Sequence, residues 1–115
     1  MTSEKINYIE MPASDLEGTK TLFTDAFGWM FEDYGPDYAA ILDAGIDGGF
    51  FRSDQVSRTD SGSALVVLRS FDLEASLQKV VQAGGEVVKQ IYSFPGGRRF
   101  HFTDPSGNEY AVWSE

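Results

Sequence analysis

The chain has no cysteine among its 115 residues and a single histidine, His101. Without cysteine there is no disulfide, no thiolate metal ligand and no cysteine nucleophile. Basic residues are also scarce: 9 Lys and Arg stand against 18 Asp and Glu, a formal charge of −9. Nucleic-acid binding wants a basic face, so that class is disfavoured. No apolar run approaches the roughly 20 residues that cross a bilayer, so no membrane partner is expected. The opening MTSEKINYIEMP has no basic segment followed by a long apolar one, so a secretory signal is not expected. Together with the missing cysteine, this fits a cytoplasmic protein.

Apolar and aromatic residues, by contrast, are plentiful. They make up 42% and 14% of the chain, which excludes a disordered composition and suits one domain with its own core.

An internal repeat organises the chain. SDLEGTKTLFTDAFG at 14–28 aligns with FDLEASLQKVVQAGG at 71–85. Asp15, Leu16 and Glu17 match Asp72, Leu73 and Glu74, and Ala26 and Gly28 match Ala83 and Gly85. Each copy reads as a helix. Leu16, Phe23, Ala26 and Phe27 share one face of the first. Ser14 and Glu17 have the spacing of a capping box, and Gly28 stops the helix. Leu73, Leu77, Val80, Val81 and Gly84 form the stripe of the second. Asp72 is its expected N-cap, and Gly84-Gly85 ends it.

One strand precedes each helix, INYIEM and ALVVLR. Three follow each: MFEDY, YAAILDA and GGFFRS, then EVVKQIY, RRFHFT and EYAVWS. GPD, DAGIDG, FPGG and DPSGN supply the turns. The polar stretch DQVSRTDSGS shows no periodicity and reads as a linker. The expected organisation is one α+β domain over residues 1–115, with modules of about 1–53 and 63–115 and a linker at 54–62. Strand alternation sets Ile9 and Met11 toward the helix, and Ile6, Tyr8 and Glu10 away from it. In the last strand Tyr110 and Val112 take one side, and Glu109, Ala111 and Trp113 the other.

This plan, with SDLEGTKTLFTDAFGW and the closing FTDPSGNEYAVW, resembles the vicinal oxygen chelate superfamily. That group includes glyoxalases, bleomycin resistance proteins and extradiol dioxygenases. The resemblance implies two tandem βαβββ modules, a cup-shaped mixed sheet with helices outside, a site inside the cup, and a homodimer.

The resemblance also implies where a metal would be held. Those positions fall on Tyr8, at or next to Leu65, on Ala111, and on Gly48, Gly49 or Phe50. Only the tyrosine carries a donor, whereas a divalent ion wants several converging nitrogens or oxygens. No metal or other cofactor is therefore expected. The alternative is a shifted divalent-metal site made by Glu10, His101 and Glu109.

Other residues suggest a pocket. Glu10 shares a strand face with Tyr8. Partial burial would raise its pKa and suit it to act as a general base. Tyr8 can donate to a ligand oxygen. Trp113 and Phe50 are expected to line the pocket, and Arg98 or Arg99, in a lip at FPGGRR, to meet an anion. The expected ligand-binding set is Tyr8, Glu10, Phe50, Arg99, His101, Glu109 and Trp113.

Three readings follow. The first is a metal-free protein that binds a small hydrophobic or aromatic molecule. The second is a lyase or isomerase using Glu10 as base or the shifted metal site. The third is a non-catalytic domain that binds protein.

Overall fold

The computed structural model describes residues 3–115. The chain runs β1 (Tyr8–Ala13), α1 (Leu16–Phe27), β2 (Met30–Asp33), β3 (Tyr38–Leu42), β4 (Asp47–Arg52), a 3₁₀ turn at Thr59–Ser61, β5 (Val66–Arg69), α2 (Leu73–Gln82), β6 (Glu86–Phe94), β7 (Gly97–Thr103) and β8 (Glu109–Ser114). The fold is thus α+β, with two βαβββ modules. Their sheets have the same order, β1-β4-β3-β2 and β5-β8-β7-β6. β1 runs parallel to β4, and β5 to β8; the other pairs are antiparallel. A parallel pair needs a long crossover, and α1 or α2 begins each one.

Each sheet turns one face to a shared core. Met11, Ala39, Ile41 and Phe50 come from the first sheet, and Phe100, Phe102, Tyr110 and Val112 from the second. Leu16, Leu22 and Phe23 of α1 and Leu73 and Val80 of α2 join them. Phe23 connects the halves: its ring lies 6.0 Å from Phe50 and 5.0 Å from Tyr110, centroid to centroid. Truncating such a buried aromatic to alanine costs about 3–5 kcal/mol. Neither α1 nor α2 covers the opposite face of either sheet; in the second, the 3₁₀ turn meets that face at Glu109.

The caps differ in one respect from the sequence reading. Asp15, not Ser14, caps α1, accepting from the Gly18 amide at 3.0 Å. Gly18 makes this possible, because a Cβ there would lie 2.3 Å from the Asp15 carboxylate. Asp72 caps α2 as expected, and Gly28 ends α1 in the left-handed conformation at φ 71°. FPGG is the tight hairpin turn expected of it, in which Phe94 already pairs with Gly97.

The D-P-S-G-N turn does more than reverse the chain. Asp104 Oδ1 accepts from the Ser106 and Asn108 amides at 2.8 and 3.0 Å. Its Oδ2 accepts from the Tyr110 hydroxyl at 2.6 Å. Burial pushes the Asp104 carboxyl pKa upward, and these donors only partly offset it. Fully buried Asn108 donates to the Pro12 carbonyl at 2.6 Å and accepts from the Ser57 amide at 2.9 Å. Ser106 bonds the Asp15 amide at 3.0 Å and the Thr19 hydroxyl at 2.7 Å. The turn therefore fastens the second module to the end of β1, the start of α1 and the linker.

Replacing Asn108 by alanine orphans a buried carbonyl and an amide. The expected loss is about 2–3 kcal/mol. Urea unfolding should show a lower midpoint with an unchanged slope.

Candidate functional site

The helix-free face of the first sheet is built by alternation. Tyr8 pairs with Asp47, Glu10 with Gly49, and Pro12 with Phe51; Tyr38 lies across from Phe51. The Tyr38 phenol crosses over Gly49, where an added Cβ would meet its oxygen at 2.1 Å. Tyr38 donates to Glu10 Oε2 at 2.8 Å, and Tyr8 donates to Tyr38 at 2.5 Å. Burial, then the Tyr8 and Glu10 neighbours, raise the Tyr38 pKa, so the phenol remains a donor throughout the physiological range.

The corresponding face of the second sheet has a different character. One cross-strand row reads Arg69, Trp113, Arg99, Tyr92; the next reads Val67, Ala111, His101, Lys89. A continuous polar chain runs through them. The Arg99 Nε donates to the Tyr92 oxygen at 2.5 Å. Tyr92 lies 2.9 Å from His101 Nε2, and His101 Nδ1 lies 2.7 Å from Glu109 Oε2. The Thr59 amide and hydroxyl both donate to Glu109 Oε1, at 2.9 and 2.7 Å. Burial would raise the Glu109 pKa, but the Thr59 donors and His101 outweigh it and hold the value near 2.

The structure sorts the expected site residues into two groups. Tyr8 and Glu10 stand together on the first sheet. Arg99, His101, Glu109 and Trp113 share a face of the second. Phe50 belongs to neither: it is fully buried on the core side, and Phe51 holds the outward position. The reason is register, since Phe50 pairs with inward-facing Met11. Glu10 is exposed rather than partly buried, because no described element packs over it. Glu10 also lies on a different sheet from His101 and Glu109, so the shifted trio does not assemble within the chain. Among the described residues, no three His, Cys, Asp or Glu side chains converge as a metal site.

The positions implied by resemblance do not fit a divalent ion either. Ala111 sits beside Val67. Leu65 precedes β5, Gly48, Gly49 and Phe50 carry no donor side chain, and Tyr8 is bonded to Tyr38.

Three participants were not among the expected site residues. Tyr38 depends on the space above Gly49. Tyr92 follows two register irregularities in β6, which hide its facing from alternation. Thr59 lies in the linker, whose polar sequence carried no period.

Paired βαβββ modules with one free face per sheet define the structural class. The chain belongs to the Glyoxalase/Bleomycin resistance protein/Dioxygenase superfamily, whose family model matches residues 5–112. A glyoxylase-like domain-containing protein of Didymella fabae is 26% identical, over 94% of this chain and 91% of that protein. Solved structures share the fold at lower identity. A glyoxalase-related enzyme from Fulvimarina pelagi matches with a TM-score of 0.80 and 17% identity, covering 97% of this chain and 88% of that one. The fosfomycin resistance protein FosX from Listeria monocytogenes matches at 0.79 and 16%, covering 100% and 95%. TnmS3, an antibiotic binding protein from Streptomyces sp. CB03234, matches at 0.71 and 21%, covering 99% and 98%.

The lowered Glu109 pKa has a consequence for stability. A folded-state value near 2, against an ordinary 4.5, stabilises the fold above pH 4.5. That contribution fades as pH falls from 4.5 toward 2. Glu109→Gln should therefore flatten this part of the acid-stability profile, measured by urea unfolding at stepped pH. It should also destabilise the protein at pH 7 by about 1–3 kcal/mol.

Proposed function

We propose that the protein binds a small hydrophobic or aromatic molecule on its helix-free sheet faces, without a metal, as a homodimer. One observation carries this reading. The second sheet presents the part-exposed Trp113, Phe94, Tyr92 and Arg99 together, beside the stretch that the linker covers, and a few polar anchors among aromatics are the usual lining of a ligand site. The lack of donors at the expected ligand positions supports the metal-free part. The fosfomycin resistance and antibiotic binding proteins of the same fold support the small-molecule part.

The two free faces support the dimer. Among the described residues, no hydrogen bond, ion pair or ring contact joins Tyr8, Glu10 or Tyr38 to Tyr92, Arg99 or Trp113. One face offers carboxylates and phenols, and the other guanidinium groups and rings. A second copy would set one against the other and close a cup twice over, as an isologous pair does. Glu10 favours a second, enzymatic reading. Tyr38 occupies one of its oxygens and leaves the other free to take a proton.

Sedimentation equilibrium should give twice the chain mass of 12.7 kDa. A fluorescence and NMR screen of neutral and charged aromatic compounds should find ligands that shift the Trp113 signals. A monomer with an empty screen would leave the protein-interaction reading. If a bound compound is also turned over, Glu10→Gln should abolish turnover while binding persists; unchanged turnover removes Glu10 as the base.

A further inference from the structure

We infer that Arg99 is an anion anchor, and that the ligand is a flat apolar molecule bearing a carboxylate or similar oxyanion. This rests on the binding reading above and names the class of molecule bound.

The argument begins with charge. The chain has five arginines and twice as many acids as bases. Four arginines pair with a carboxylate: Arg52 with Asp37 at 3.0 Å, Arg58 with Asp60 at 3.6 Å, Arg69 with Glu115 at 3.1 Å, and Arg98 with Glu74 at 2.7 Å. Arg99 pairs with none among the described residues. Its neighbour Arg98 points to the other side of the strand and is held at both terminal nitrogens by Glu74. In so acidic a chain, an unpaired and half-buried guanidinium is the exception.

Arg99 is nevertheless not loose. Its Nε donates to Tyr92. Its guanidinium carbon lies 5.5 Å from the Tyr92 ring centre and 5.3 Å from that of Phe94. These contacts fix the guanidinium plane by stacking and cation–π attraction. Tyr92 is itself held through His101 and Glu109 to the Thr59 backbone. The terminal nitrogens have no protein partner among the described residues. A fixed fork with free N–H groups is the complement of a carboxylate, and little side-chain entropy remains to be lost on binding.

The apolar half of the assignment comes from the next residue in the row. Trp113 lies opposite Arg99 on the same face, with the Phe94 ring 6.3 Å away. On its far side Trp113 is covered by Arg69, whose charge Glu115 already answers. One aromatic wall thus stands next to one unanswered positive charge.

The test uses paired probes: benzoate, 2-naphthoate and indole-3-carboxylate, each against its neutral amide. Binding to the full-length protein is followed by titration calorimetry at low ionic strength. At least one carboxylate should bind about tenfold or more tighter than its amide, as expected for a charge-assisted bond. Arg99→Gln should weaken the carboxylate more than its amide and so bring the acid-to-amide affinity ratio close to one. Arg99→Lys, which keeps charge without the fork, should retain part of the preference. Thermal unfolding of both variants checks the fold.

Equal binding of acid and amide overturns the anion assignment alone. So does a wild-type protein that takes neutral compounds in the screen but no carboxylate. If Arg99→Gln dissociates the dimer and leaves the carboxylate preference intact, Arg99 is a subunit-interface residue and the assignment falls. An empty screen removes the binding reading itself, and this inference with it.

Discussion

The rest of the structure depends on one buried side chain, the Asn108 amide. It has a partner in three parts of the chain: the Pro12 carbonyl, the Ser57 amide and the Asp104 carboxylate. A buried amide without partners is costly, and this one is satisfied only if β1, the linker and the last turn meet. Asn108 thereby sets the relative position of the two modules. It also draws the linker along β8, where the Ser57 carbonyl accepts from the Glu109 amide at 2.8 Å. That approach places Thr59 against the Glu109 carboxylate. The contacts that dock the modules thus also hold one end of the second sheet's polar chain.

The internal repeat is not symmetric in this respect. Thr19 of α1 is bridged by Ser106 of the opposite module. Its counterpart by alignment, Ser76 of α2, bonds Ser70 of its own module at 2.6 Å. No turn of the first module reaches across as D-P-S-G-N does. A cleft of about 720 Å³ remains there, lined by Phe27, Trp29, Leu68 and Ser76. The two helices began from one pattern, but only the second module carries the turn that fills such a gap.

Much of the fold was legible because period and punctuation agreed. In β1 and β8 the strands run without a bulge, so two-residue counting along each put Tyr8, Glu10, Glu109 and Trp113 on their correct faces. In β4 the stretch GGFFRS opens with two glycines, which carry no facing signal, and two adjacent phenylalanines fit either register. Phe50 was placed outward for that reason. In β6 the register shifts between Val87 and Lys89 and again between Lys89 and Tyr92, so no single alternation spans the strand. Ser14 and Asp15 both suit a cap, and Asp15 takes the role by accepting from the Gly18 amide. The linker's role could not be seen, because it rests mostly on the backbone groups of Ser57 and Thr59, which any residue has, with the Thr59 hydroxyl as the one side-chain contribution.

The polar chain runs without a break from guanidinium to carboxylate. Arg99 has only donors, so Tyr92 must accept from it. The Tyr92 hydroxyl meets His101 Nε2, and His101 Nδ1 meets one oxygen of Glu109, whose other oxygen takes both Thr59 donors. The two ends are separated by Tyr92 and His101 rather than paired directly, so Arg99 has no carboxylate partner among the described residues. A direct Arg–Glu contact would have neutralised both. The tyrosine and histidine between them hold the cation in place and leave its outer edge free for a ligand.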